Sequence, residues 1–251
     1  MAITSLFGLI GYPLGHSFSK KYFTDKFEAL GISDSHAYTQ FELPSIQDFP
    51  QILRDHSNLK GLNVTIPYKQ QIIPYLDEID AAAARIGAVN TIKFLPDGRI
   101  KGFNSDYFGF QQTLTEWPDF NQFQSKLACV LGQGGAAKAV IAAIEDLGIS
   151  VLKVSRTASD DCIAYESLNA YMPQIGLIVN TTPLGMHPAI ESFPPIPYAL
   201  LTSQHYLYDI VYNPLETSFL QKGVAQGVGG THAGLAMLHG QAEKAWEIWN
   251  A

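Results

Sequence analysis

Several features that mark other classes of protein are scarce in this sequence. Its 251 residues include two cysteines, Cys129 and Cys162, which are far apart and lack metal-ligand spacing. Such sparse use of cysteine favours a reducing compartment, and we expect a cytoplasmic protein. The seven histidines show no His-Glu-x-x-His or comparable spacing, so no metal site is predicted.

Long apolar segments and an excess of basic residues are also missing. The apolar N-terminus, MAITSLFGLIGYPLGHS, has no basic start and is interrupted by Gly8, Gly11 and Pro13. We therefore interpret it as a first strand rather than a signal peptide or a membrane span. Lysine and arginine number 16 against 23 aspartate and glutamate, a formal net charge of −7. Nucleic acid and membrane surfaces are not expected as partners, although a small anion needs only a few donors.

Strand-like and helix-like runs alternate along nearly the whole chain, which predicts an α/β fold with a parallel sheet and right-handed crossovers. The length suffices for one large domain or two modest ones. A domain boundary is expected near residues 106–117, where EWPDFNQFQS resembles a polar connection. Predicted strands are residues 6–11, 36–43, 59–67, 127–132, 150–155, 175–182 and 206–212, with a hairpin in 88–105 around Pro96-Asp97-Gly98. Predicted helices are residues 17–30, 45–56, 67–75, 80–86, 135–147 and 232–250.

The strongest single motif is LGQGGAAKAV, residues 131–140. Gly132-x-Gly134-x-x-Ala137 fits G-x-G-x-x-G/A and lies between a predicted strand and a predicted helix. In that pattern the first glycine permits a tight turn, the second admits a pyrophosphate, and a small third residue lets the helix pack on the strand. The phosphates would then meet N–H groups at a helix N-terminus. A simple strand–helix junction is the alternative. The position of the motif between a predicted strand and a predicted helix favours dinucleotide binding.

The end of the next predicted strand indicates which dinucleotide is bound. An NAD enzyme usually carries Asp or Glu there, about twenty residues after the glycines, to hold the ribose 2′-hydroxyl. This chain has Ser155, Arg156 and Thr157 at that place. A guanidinium fork with two hydroxyls suits a 2′-phosphate, so NADP(H) is the predicted cofactor. A solvated surface arginine is the alternative.

Lys69 and Asp106 are candidates for acid–base chemistry. Lys69 follows the apolar run LNVTIP, and Asp106 stands where a hairpin strand leads into a helix. Such a pair can exchange a proton with a substrate oxygen while a hydride moves at carbon. A surface lysine and a helix-capping aspartate are the alternatives.

Hydroxyl and amide side chains occupy further strand ends and the start of the first predicted helix. Ser17 and Ser19 begin that helix. Thr65, Asn90 and Tyr212 lie at the ends of apolar strands, where loops commonly build sites. Together these side chains suit a small polyhydroxylated acid.

Taken in order, these segments resemble the shikimate dehydrogenase family nearly from end to end. GYPLGHSFS is similar to its Gly-x-Pro-x-x-His-Ser-x-Ser segment, NVTIPYK to Asn-Val-Thr-x-Pro-x-Lys, and GAVNT is unchanged. GFNSD is similar to Gly-x-Asn-Thr-Asp, and LGQGGAAKA to Leu-Gly-Ala-Gly-Gly-Ala. NTTPLGM, the Tyr208–Tyr212 run with Pro214 and Thr217, and GLAMLHGQA complete the match. Eight such segments in the right order are hard to obtain by chance.

The resemblance implies reversible reduction of 3-dehydroshikimate to shikimate by NADPH, with Lys69 and Asp106 as the catalytic pair. It implies two α/β domains around a cleft. Residues 1–105 with 232–251 would bind substrate, residues 106–231 would form a Rossmann-like NADP-binding domain, and the C-terminal helix would return to the first. A small-molecule substrate and a monomer or homodimer are expected. Positions that match the family's substrate site are Ser17, Ser19, Thr65, Asn90, Asp106, Tyr212 and Gln241. Positions that match its cofactor site are Gly132, Gln133, Gly134, Gly135, Ala136, Ser155, Arg156, Thr157, Ile210 and Gly234.

Three other functions stay open at this point. An NAD-preferring quinate/shikimate dehydrogenase shares the fold, and Arg156 argues against it because a 2′-phosphate partner would have no role. A catalytically silent NADPH-sensing regulator would be expected to lose Lys69 or Asp106, and both are present. Another cyclic-acid oxidoreductase is the third. Gln133 and Lys138 depart from the family pattern in the glycine loop, which leaves the cofactor affinity open.

Overall fold

The structure, a computed structural model, describes residues 3–15 and 18–251 of the chain. The chain divides into two units, Met1–Ser105 with Ala242–Ala251 and Asp106–Gln241. The boundary drawn from the sequence put residues 232–241 with the first domain, whereas they group with the second unit. The assignment of substrate to one unit and NADP to the other stays a prediction.

The first unit contains one mixed sheet. Its strands are β1 (Ser5–Gly11), β2 (His36–Glu42), β3 (Leu59–Val64), β4 (Glu78–Ile79), β5 (Thr91–Phe94) and β6 (Ile100–Phe103). They lie in the order β2-β1-β3-β5-β6-β4. β5 is antiparallel to β3 and β6, which confirms the predicted hairpin, and the other neighbours are parallel. The helices are α1 (Phe18–Ala29), α2 (Phe49–Asp55) and α3 (Ala81–Ile86), with 3-10 turns at Ile46–Asp48 and Ile73–Tyr75.

Alternation along β1 gives this unit an apolar cluster on each face of its sheet. Phe7 and Leu9 contribute to one cluster and Ile10 to the other. Trp249, from the C-terminal segment, joins the cluster of Phe7, and its Nε1 donates a hydrogen bond to the carbonyl of Ile92 at 3.0 Å. The C-terminal helix therefore returns to the first unit, as the resemblance implied.

The second unit contains an all-parallel sheet. Its strands are β7 (Leu127–Leu131), β8 (Val151–Ser155), β9 (Ile163–Ala164), β10 (Ile175–Asn180), β11 (Tyr206–Asp209) and β12 (Gly230–Ala233), in the order β12-β11-β10-β7-β8-β9. The helices are α4 (Ser105–Glu116), α5 (Phe120–Phe123), α6 (Gly135–Asp146), α7 (Ser218–Ala225) and α8 (Leu235–Asn250). α4 and α8 each cross the unit boundary in the sequence. The α/β fold with a Rossmann-like second part is thereby confirmed.

Two predicted helices are wrong in part. Residues 66–72 form turns and only Ile73–Tyr75 is helical, as a 3-10 turn, because Pro74 has no N–H group to extend an α-helical ladder. The predicted helix 232–250 begins at Leu235 instead. Residues 230–233 pair with β11 as an edge strand, and Gly234 separates strand from helix.

Neither a membrane-spanning helix nor a metal-binding cluster is found among the described residues. None of the helices formed by residues 3–15 and 18–251 combines the length and apolarity needed to cross a membrane. Within the same described residues, no group of three or more His, Cys, Asp or Glu side chains is arranged to hold a metal ion.

Candidate active site

One edge of the first sheet carries the candidate residues of that unit. β1 and β3 are parallel, so their carboxyl ends meet at the same edge. The chain leaving β3 stays paired with the chain leaving β1, because the Thr65 amide donates to the Ile10 carbonyl at 2.9 Å and the Tyr12 amide to the Ile66 carbonyl at 3.1 Å. Ser19 follows β1 in the first turn of α1. Ser17 lies outside the described residues.

Lys69 lies on the turn that follows β3 and is half-buried. Its carbonyl oxygen accepts a 2.7 Å hydrogen bond from the amide of Val89. Val89 leads into β5, which pairs with β3. The backbone at Lys69 is therefore bonded to the chain that leads into β5, as a positioned proton donor requires.

Asn90 fixes the start of α4. Its Oδ1 accepts a 2.6 Å hydrogen bond from the amide of Ser105, the first residue of the helix, and its Nδ2 donates to the Ser105 hydroxyl at 3.0 Å. Asp106 comes next and is only 7% exposed. It lies inside the first turn rather than at the capping position, so the alternative of a purely capping aspartate is wrong. A carboxylate there is favoured by the positive end of the helix.

The carboxyl ends of the second unit's parallel strands share one edge as well. Gly132, Ile210 and Gly234 directly follow β7, β11 and β12, and Ser155 is the last residue of β8. The strand order reverses between β7 and β10, which makes that junction the topological switch point where α/β sheets bind ligands. The glycine motif stands at this junction.

The glycine turn has the conformation that the motif requires. Gly132 has φ 113°, and a Cβ there would lie 2.7 Å from Thr181 Oγ1, on the segment after β10. Gly134 occupies the cap of α6, where a residue without a side chain leaves the first N–H groups open to a ligand. Ala137 is fully buried, which lets α6 approach the sheet. Gln133 is exposed, and Gly135 and Ala136 form the first turn of α6.

The turn after β8 presents the predicted phosphate-binding side chains. Arg156 and Thr157 are exposed, and Ser155 is half-buried. The Ser155 hydroxyl donates to the carbonyl of Thr157, which tightens the turn around Arg156. The Cys162 thiol lies 3.3 Å from Ser155 Oγ.

Ile210 and Gly234 are brought into direct contact. A Cβ at Gly234 would lie 2.1 Å from the carbonyl oxygen of Ile210, so only glycine fits. The Gly234 amide donates to the carbonyl of Val211 at 3.2 Å. Two residues that sequence reasoning assigned separately to the cofactor therefore form a single backbone surface.

Tyr212 and Gln241 complete the predicted set in the second unit. Burial raises the pKa of the Tyr212 phenol, so that group keeps its proton as a hydrogen-bond donor. Gln241 is 8% exposed, and its Nε2 donates to the carbonyl of Leu238 at 3.1 Å. A Cβ at Gly109 would lie 2.7 Å from the Gln241 amide, so α4 and α8 touch at this level.

Sequence reasoning did not single out Asp209, a fully buried carboxylate at the carboxyl end of β11 in the second sheet. Its Oδ1 accepts hydrogen bonds from Asn180 Nδ2 and the Val211 amide, both at 3.0 Å, and its Oδ2 accepts one from the Thr217 hydroxyl at 2.6 Å. Burial raises the pKa of Asp209 to about 6, although these hydrogen bonds oppose the shift. The available signal was a lone carboxylate in the apolar run YLYDIVY.

The predicted residues thus fall into two sets. Ser19, Thr65, Lys69 and Asn90 belong to the first unit. Asp106, Tyr212 and Gln241 belong to the second, together with every residue predicted for the cofactor. A parallel sheet with a glycine turn at its switch point is the architecture of dinucleotide-binding proteins, a class that includes the nicotinamide-dependent oxidoreductases.

Comparison with known proteins gives the family within that class. Residues 9–92 match the model of the shikimate dehydrogenase substrate binding domain. The chain is 35% identical over 269 residues to shikimate dehydrogenase (NADP(+)) of Methanosphaera stadtmanae, covering 98% of this chain and 91% of that one. It is 38% identical over 257 residues to the protein of the same name from Clostridium beijerinckii, covering 97% and 91%. The chain belongs to the shikimate dehydrogenase family.

A solved structure extends this likeness to the fold. Shikimate 5-dehydrogenase from Thermus thermophilus, in complex with NADP(H) and shikimate, is 31% identical to this chain with a TM-score of 0.84. The match covers 97% of this chain and 92% of that one.

Proposed function

We propose that the chain catalyses the reversible reduction of 3-dehydroshikimate to shikimate with NADPH. The observation that carries this proposal is the similarity over nearly its whole length to proteins named for that activity. NADP(H) is the cofactor, and the substrate is a small cyclic acid. Its two widely separated cysteines support a cytoplasmic protein, which we also propose. A monomer or a homodimer is proposed from the family resemblance.

Lys69 transfers the proton, and Asp106 orients the substrate beside it. When bound, NADPH supplies the hydride that adds to the carbonyl carbon. The Lys69 ammonium gives a proton to the carbonyl oxygen, which becomes the hydroxyl of shikimate, and takes it back in the oxidation. The Asp106 carboxylate accepts a hydrogen bond from a substrate hydroxyl and orients the ring.

The remaining predicted residues bind and orient. Ser17, Ser19 and Tyr212 face the substrate carboxylate as hydroxyl donors. Polar contacts to the rest of the substrate come from Thr65, Asn90 and Gln241. The cofactor lies along Gly132, Gln133, Gly134, Gly135, Ala136, Ile210 and Gly234, and its 2′-phosphate meets Ser155, Arg156 and Thr157.

A spectrophotometric assay tests the proposed function. Oxidation of shikimate and of quinate is followed through the absorbance of the reduced nicotinamide, each with NADP and with NAD. NADP-dependent oxidation of shikimate, faster than the other three combinations, is the expected result. Preference for NAD or quinate would move the protein to the quinate/shikimate alternative. Tight NADPH binding without turnover of either acid would identify a regulator.

Replacing Arg156 by alanine is expected to raise the KM for NADP about tenfold or more, because a charge-assisted bond to the 2′-phosphate is lost. The KM for NAD should change little, since NAD has no phosphate there. The control is Arg54→Ala, which removes another exposed arginine, on α2. Equal changes for both cofactors would remove Arg156 from phosphate recognition.

A further inference from the structure

The last residues of β10 and β11, Asn180 and Asp209, make the same kind of turn on neighbouring parallel strands. The two residues are in register across the strand pair. Asn180 Oδ1 accepts from the amide of Thr182 at 3.0 Å, and Asp209 Oδ1 accepts from the amide of Val211 at 3.0 Å. In such a turn the side-chain oxygen replaces a backbone acceptor and redirects the chain. Both strands therefore leave the sheet through a turn that a side chain fixes.

Hydrogen bonds between side chains join these two turns to α7. Asn180 Nδ2 donates to Asp209 Oδ1 at 3.0 Å and to the Leu184 carbonyl at 3.2 Å. Asp209 Oδ2 accepts from the Thr217 hydroxyl at 2.6 Å, and Thr217 caps α7 by accepting from the Leu220 amide. Asn180, Asp209 and Thr217 are all fully buried, so their hydrogen bonds are stronger than they would be in water.

The segment that leaves β11 carries residues proposed for both ligands. Ile210, proposed for the cofactor, still pairs with β10, because its amide donates to the last carbonyl of that strand at 3.1 Å. The carbonyl of Val211 accepts from the Gly234 amide at 3.2 Å. Tyr212, proposed for the substrate, comes next. The turn at Asp209 thus sets the course of the backbone from Ile210 to Tyr212.

The segment that leaves β10 contacts the glycine turn. Thr181 follows Asn180, and its amide and hydroxyl both donate to the carbonyl of Leu131, at 3.0 and 2.6 Å. A Cβ at Gly132 would lie 2.7 Å from Thr181 Oγ1. The hydrogen bond between Asn180 and Asp209 therefore connects the glycine turn with the segment after β11.

We propose that Asp209, held by Asn180 and Thr217, is a positioning residue that fixes the segment after β11 for cofactor and substrate. This inference rests on the proposed function, and Asp209 acts through the backbone rather than by touching either ligand. A carboxylate suits the task because one oxygen can accept from Asn180 and the Val211 amide while the other accepts from Thr217. An apolar side chain would avoid the cost of burying a charge, but it would leave all three donors without that acceptor.

Asp209→Ala removes the acceptor that makes the turn. The KM for shikimate and the KM for NADP are each expected to rise about three- to tenfold. The KM for NAD should rise by the same factor as that for NADP, since the segment at Ile210 serves both cofactors, in contrast to Arg156→Ala. Asp209→Asn keeps an oxygen for the Val211 amide and should leave all three KM values within about twofold of those of the unaltered protein.

The control for a general effect of losing a buried hydrogen bond is Thr113→Val. Its hydroxyl lies 2.7 Å from that of Tyr208 in the same unit, and Thr113 is 7% exposed. Thr113→Val should leave the three KM values within about twofold of those of the unaltered protein. An equal rise in Thr113→Val and Asp209→Ala would overturn the inference, as would unchanged KM values in Asp209→Ala.

A double-mutant cycle with Tyr212→Phe separates positioning from a loss of stability. If Asp209 acts on the substrate through Tyr212, adding Asp209→Ala to Tyr212→Phe should leave the KM for shikimate within about twofold of the single tyrosine variant. The KM for NADP should still rise. Multiplied effects on the KM for shikimate would overturn the inference while leaving the proposed function intact.

Thr217→Val is a milder variant that removes one hydrogen bond to Asp209 and leaves the turn acceptor in place. It takes the place of Asp209→Ala in the cycle if that variant does not fold. The KM values for shikimate and NADP should then rise together by about two- to threefold, and Thr217→Ser, which keeps the hydroxyl, should restore them. Unchanged values in Thr217→Val would overturn the inference in that case. No oxidation of shikimate by the unaltered protein would overturn both the inference and the proposed function.

Discussion

Replacing Lys69 by alanine is expected to lower kcat for shikimate oxidation about 10²- to 10⁴-fold, the usual contribution of a general acid–base group. Alanine removes the group that exchanges the proton with the substrate oxygen. The backbone of the turn should persist, because the Lys69 carbonyl keeps its bond from the Val89 amide. Steady-state rates at saturating NADP and shikimate measure this effect.

A binding measurement and a control variant show whether the loss of kcat in Lys69→Ala arises in the chemical step. Shikimate affinity, measured by calorimetry on the same variant, should change by less than about tenfold, since general acid–base catalysis acts in the transition state. Lys60→Ala removes an exposed lysine from β3 itself and should retain full turnover. If Lys69→Ala raised KM alone with kcat preserved, Lys69 would be a binding residue rather than the proton donor.

The sequence predicted well which residues follow the carboxyl ends of the strands in both sheets, because a strand end is marked by a local pattern of residues. An apolar run followed by Gly132 or by Pro67 and Lys69 marks where a strand ends. Parallel strands then bring those ends to one edge without further information. The φ of 113° at Gly132 agrees with the tight turn that the glycine motif predicted. The direct contact between Gly234 and Ile210 gives a physical reason for two residues that the family resemblance alone had supplied.

The buried polar connections depend on information that lies elsewhere in the chain. Tyr38 and Asn63 stand on β2 and β3, which are not neighbours, because β1 lies between them. The hydrogen bond from the Tyr38 hydroxyl to Asn63 Oδ1, 2.7 Å long, follows from the register of two strand pairs, which neither segment specifies alone. Likewise β12 has only four residues, too few for a two-residue period to distinguish it from the start of a helix.

Asp209→Asn is expected to remove a pH-dependent contribution of about 3 kcal/mol to the free energy of unfolding. The pKa of Asp209 in the folded protein is raised to about 6, mainly by burial. In the unfolded chain an aspartate titrates near pH 3.9. Between these values the folded state holds a proton that the unfolded state has released. The contribution of Asp209 to stability is therefore complete below about pH 4 and is lost as pH rises through about 6.

Asparagine has the same shape, keeps the Oδ1 acceptor for Asn180 and the Val211 amide, and does not titrate. The free energy of unfolding of Asp209→Asn, relative to the unaltered protein, should therefore rise by about 2 kcal/mol between pH 4 and pH 7, since part of the full change falls below pH 4. Urea unfolding across that range measures the difference. Asp34→Asn, at an exposed carboxylate, should show no rise of that size. If the difference in free energy of unfolding between Asp209→Asn and the unaltered protein did not vary with pH, the Asp209 carboxylate would already be ionised at pH 4. The hydrogen bonds from Asn180, Val211 and Thr217 would then outweigh its burial.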